Sequence, residues 1–168
     1  MSLILLIATR QPPPHWRFLP SFAVVVVGVV IGFPLLSTLA MRDASASYGA
    51  VITGLLPLAT ALFGVWRVGE RPSTKFWLFA IAGSGLVVTF ALTSGAGSMR
   101  IADLALLGAV VTASLGYAEG TILTRTFGSW QVIGWALVLA LPVVFPIALL
   151  HMPSSFTSIS NNAWLSFL

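Results

Sequence analysis

Long uncharged runs separated by short polar breaks dominate this chain. The runs cover residues 18–41, 45–66, 76–94, 101–124 and 130–150, with arginines, aspartates, prolines and glycines gathered between them. At about 1.5 Å of rise per residue, each run is long enough as a helix to cross a hydrocarbon layer of about 30 Å. The four valines at 24–27 would suit a buried strand. In lipid, however, an isolated run of that length closes its backbone hydrogen bonds only as a helix. Shorter apolar runs at 3–8 and 163–168 read as the end of one helix and the start of another. The expected fold is all-α: a polytopic membrane protein with five complete transmembrane helices and a partial helix at each end.

The composition supports a lipid-facing chain. Of its 168 residues 58% are hydrophobic and 7% charged, and mean hydropathy is +1.01; soluble domains carry about 25% charged residues. The formal charge of +4 rests on scattered side chains, too few for a nucleic-acid surface. With loops assigned alternately, Arg10, Arg17, Arg67, Arg71, Lys75 and Arg125 fall on one side, Arg42 and Arg100 on the other. That bias places the first side in the cytoplasm; the expected location is the plasma (inner) membrane, as a multi-pass protein. Trp66, Trp77 and Trp130 lie near span ends, where tryptophan anchors helices at the interface.

The same inventory removes most chemistry. There are no cysteines, which excludes disulfides, thiolate metal sites and cysteine nucleophiles. His15 and His151 lie in connecting segments, so no metal cluster, serine–histidine pair or cofactor is expected. Asp43 and Asp103 sit at span ends, not as an intramembrane pair sharing a catalytic water. No Gly-rich phosphate loop is present, and residues 1–9 lack the basic start and cleavage site of a signal peptide. No enzyme is expected.

Small residues carry the remaining signal. Positions 47, 50, 54, 57, 61 and 64 hold Ser47, Ala50, Gly54, Pro57, Ala61 and Gly64, one face without a large side chain. Such a face lets another backbone approach or leaves room for solute, and Pro57 removes one helix hydrogen bond in mid-span. Gly28 and Gly32 form a second small face, suited to packing. Glu119 is the only charge well inside a run, six residues before Arg125, or about 9 Å of helix. Gly108, Thr112 and Gly116 share its face, and Gly116 with Gly120 offers close packing. A carboxylate at that depth turns toward a bundle interior or water. It is either a solute-pathway group for a cation or proton, or a structural group bonding a neighbouring hydroxyl. Tyr48 and Tyr117 are further candidates for contact with solute.

The Ser45-Ala46-Ser47 start, mid-helix Pro57 and closing Gly69-Glu70-Arg71-Pro72 together resemble the fourth helix of EamA-type proteins of the drug/metabolite transporter superfamily. That resemblance implies ten helices in two inverted five-helix halves, both ends cytoplasmic. The chain would run from the end of helix two to the start of helix eight. Residues 1–98 would then be most of the first repeat and 99–168 an incomplete second one. A faint echo of His15-Trp16 in Ala163-Trp164 fits an inverted repeat or, equally, an aromatic belt. The implied function is secondary transport of a small organic molecule by alternating access. Expected partners are membrane lipid, the solute, and the missing remainder of the carrier or a second copy. Two other readings stay open: a non-transporting subunit or assembly factor, and a small dimeric multidrug-type carrier built around Glu119.

Overall fold

The computed structural model describes residues 2–94 and 101–151. The polar loop expected at 95–100, with Arg100, lies outside the described residues. So do the helix start at 163–168, with Trp164, and all but His151 of the connection before it. A short helix α1 (Ser2–Ala8) precedes five long ones: α2 (Trp16–Ala40), α3 (Ala46–Val68), α4 (Thr74–Ser94), α5 (Ile101–Phe127) and α6 (Ser129–Leu150). All five are long and apolar enough to cross a membrane. The valine run is helical, and among the described residues no strand occurs.

The connections follow local chemistry. Ser45 caps α3 by accepting the Tyr48 N–H at 3.2 Å, and the Ser73 hydroxyl accepts the Phe76 N–H at 3.3 Å to start α4. Asp103 stands in the first turn of α5, where a negative charge complements the helix dipole. The 125–129 loop shrinks to Gly128 alone, at φ 76°, because α5 keeps its hydrogen bonds through Phe127. A side chain at that φ would be strained.

Neither α2 nor α3 is regular. In α2, residues Val26–Gly32 form a π-helical segment. In α3 the helix breaks at Gly54–Leu55, whose N–H groups bond three residues back, to Val51 and Ile52. Pro57 has no N–H for the Thr53 carbonyl, so the ladder fails one turn before it. A second π turn, Gly64–Val68, ends α3. The small-residue face is therefore split. Ser47, Ala50, Gly54 and Pro57 are exposed, while Ala61 and Gly64 are buried.

Helix α5 is the hub. It has 44% of its apolar window inside the bundle, against 6% for α4, and it packs on α2, α3 and α6. Its neighbours thus come from both before and after it in the chain. The tightest crossing sets Gly28 of α2 against the Thr112 carbonyl and the Gly116 backbone, with Gly116 Cα 3.1 Å from where a Gly28 Cβ would stand. Gly32 faces the Thr112 side chain at 3.3 Å on the same measure. One apolar cluster fills the arginine-rich end with Phe22, Val25, Leu123 and Val132. A second, with Ala40, Ile52 and Leu106, fills the other. Leu6 of α1 is buried against Gly134 of α6.

Candidate functional site

Antiparallel alternation brings the start of α2 and the ends of α3 and α5 to one end of the bundle. There three helices meet on a single carboxylate. Glu119 is 2% exposed. Its Oε2 accepts from Arg67 Nε at 3.0 Å and lies 2.9 Å from Arg67 Nη2. Its Oε1 accepts from the Ser21 hydroxyl at 2.6 Å. The guanidinium is half in solvent, its side chain 45% exposed, and the carboxylate is not. Neutralisation thus reaches into the bundle from its edge, the arrangement a buried charge requires.

Local structure explains the reach. The π turn at Gly64–Val68 widens the end of α3, and such turns recur at functional sites. Seven residues earlier on α3, Thr60 donates to the buried Ser114 hydroxyl of α5 at 3.3 Å. The α3–α5 interface thus carries two polar contacts about two turns apart.

Past Arg67 the chain turns sharply. Gly69 is left-handed at φ 74°, and the Glu70 N–H bonds the Gly64 carbonyl at 3.2 Å. The Glu70 carboxylate folds over Gly64: a Cβ there would lie 2.7 Å from its Oε2. After Gly69, residues Glu70, Arg71 and Pro72 line an open groove of about 670 Å³ together with Pro57, Thr60 and Phe76. Gly69→Ala is expected to cost about 1 kcal/mol of stability through the left-handed backbone alone, since nothing lies within 4 Å of the added methyl. A melting curve of the purified variant checks it.

The structure distributes the sequence candidates over different surroundings. Thr112 and Gly116 stand in the crossing with Gly28 and Gly32. Gly120 is looser, with a Val25 methyl 3.9 Å from its would-be Cβ. Tyr117 is 44% exposed on the outside of α5. Tyr48 is half-buried beside the Phe90 ring. Glu119 is joined to none of the tyrosines; its partners are Arg67 and Ser21. Sequence reasoning took Arg67 only as a charge marking one side of the membrane. The available signal was depth: Ser21 follows Arg17 by four residues and Glu119 precedes Arg125 by six, so both reach the level at which α3 ends.

The sequence pattern of the EamA-like transporter family matches residues 1–91, more than half of the chain. The chain belongs to that family. A Bacillus subtilis (strain 168) protein named "Uncharacterized transporter YdeK" is 51% identical over 162 residues, 96% of this chain and 56% of that protein. The EamA-like chain therefore spans about half the length of this relative. No solved structure matches it. Family membership and the five apolar helices make it a multi-pass membrane protein.

Proposed function

We propose that this EamA-like chain forms part of a secondary transporter that moves a small organic molecule across the plasma membrane by alternating access. The observation that carries this reading is the one buried charge among the described residues. Glu119 is shared by Arg67 of α3 and Ser21 of α2, so three helices are tied at the arginine-rich, cytoplasmic end by contacts that rigid-body rocking would make and break. Glu119 then acts as the fastening of that end and not as a free ligand for the solute. The exposed Ser47, Ala50, Gly54 and Pro57 face lines the solute route, completed by the remainder of the carrier or by a second copy. The transporter name of the Bacillus subtilis relative supports the same direction.

The test is uptake into proteoliposomes holding the full-length protein, screened against amino acids, nucleosides and cationic drugs. A saturable flux that Glu119→Gln slows at least severalfold supports the reading. Unchanged flux and unchanged pH dependence in Glu119→Gln remove Glu119 from the mechanism. The absence of any flux across the screen favours a non-transporting subunit.

A further inference from the structure

We infer that Glu119 is a proton-binding site whose protonation is coupled to opening of the arginine-rich end of the bundle. Resting on the reading of Glu119 as the fastening of that end, this makes the proton the ion that releases it. The basis is an asymmetry between the two charged partners. Glu119 is enclosed by α2, α3 and its own helix α5, all within this chain, and is 2% exposed. Further polypeptide can only add to that burial. Arg67 stands in the last turn of α3, two residues before the left-handed Gly69, with its side chain 45% exposed.

Separating the two therefore has unequal consequences. The guanidinium moves with the end of its helix, where water replaces its partner. The carboxylate cannot follow, because α5 is the helix on which α2, α3 and α6 all pack. It would stay behind with the Ser21 hydroxyl, whose single O–H at 2.6 Å does not offset a full charge among packed helices. A proton on Glu119 removes that penalty, and the neutral carboxyl still has an oxygen for Ser21 to bond. The closed end thus holds Glu119 ionised and the open end holds it protonated, so acid favours opening. No second charge takes the place of the proton. Arg17 lies on α2, Tyr48 on α3, and Asp103, Tyr117 and Arg125 on α5, while α6 carries no titratable side chain. Glu70, just past α3, is itself an acid folded over Gly64. Among the described residues only Arg67 is within ion-pair reach of the Glu119 carboxylate.

The full-length protein is tested in detergent, without solute. This chain has no cysteine, and any in the remainder is replaced first. Spin labels at Trp66→Cys and Thr121→Cys, both exposed positions, then report the distance between the ends of α3 and α5. From about pH 8 down to about pH 5 a longer distance should gain population, by up to about tenfold per pH unit for one proton taken up. Glu119→Gln should hold the longer distance at every pH. A distribution that does not change with pH overturns the inference, as does a pH response that persists in Glu119→Gln. Should that variant not fold, Arg67→Gln combined with Glu119→Gln takes its place, and a persisting pH response there overturns the inference equally. Solute flux is measured separately. Flux with a pH-independent distance overturns the proton site and leaves the transport reading standing; a pH-dependent distance without flux supports the proton site and removes that reading.

Discussion

Arg67→Ala lowers stability more than loss of any other basic side chain among the described residues, because it strands the Glu119 carboxylate. Removing one partner of a fully buried pair costs on the order of 3–5 kcal/mol. Arg67 is 45% exposed, so water replaces part of its contribution and about 2–3 kcal/mol is the expected loss. The decisive feature is an asymmetry. Arg67→Ala leaves a charge 2% exposed with only the Ser21 hydroxyl for company. Adding Glu119→Gln to that variant removes the charge while keeping an oxygen for Ser21, so the double variant should recover most of the loss. Melting midpoints in detergent measure this directly. A double variant no more stable than Arg67→Ala would show that the penalty is not electrostatic. Arg67→Lys should fall between, since one ammonium replaces two converging nitrogens on Oε2.

The second large effect is steric. At Gly28 a methyl would meet the Thr112 carbonyl and lie 3.1 Å from Gly116 Cα, all of it backbone. No rotamer change relieves that overlap; the two helices must separate. Gly28→Ala is expected to cost about 3 kcal/mol, the upper part of the overpacking range, and Gly28→Val to prevent folding to a monodisperse species. Gly83 and Gly85 of α4 serve as controls because nothing lies within 4 Å of their would-be Cβ atoms. Gly83→Ala should be neutral or stabilise by up to about 1 kcal/mol through helix propensity. Size-exclusion profiles and melting midpoints separate the two cases. If Gly28→Ala matches Gly83→Ala, the crossing is looser than these contacts require.

How far the candidate site was legible can be seen residue by residue. Glu119 stood out because one charge within an apolar run is conspicuous whatever surrounds it. Its partner did not. Arg67 sits beside Trp66 and Gly69 at a span end, where arginine is ordinary and one-dimensional order says nothing of which neighbour it meets. The small face of α3 was visible as a period, but the period continues through Pro57 while the helix does not. The break at Gly54–Leu55 turns Ala61 and Gly64 inward and leaves Ser47 to Pro57 outside. The hub was missed for a related reason. Helix α3 looks special in sequence, yet α5 has Ala109, Ala113, Gly116 and Gly120 on one side and Ser114 and Ala118 on another. A helix with small residues on more than one side can receive neighbours on each of them.

The sequence by itself determined the number of spans, their order and which loops carry positive charge. Backbone groups in hydrocarbon must bond within their own run, so length and apolarity are enough. Only the tertiary structure decided which faces meet. Lipid is as apolar as the helix interior, so outward and inward sides look alike along the chain, and the choice passes to shape and to the few polar atoms. Gly28 against Gly116, and Arg67 with Ser21 on Glu119, are contacts between residues 88, 52 and 98 positions apart. Packing brings them together where no local pattern could.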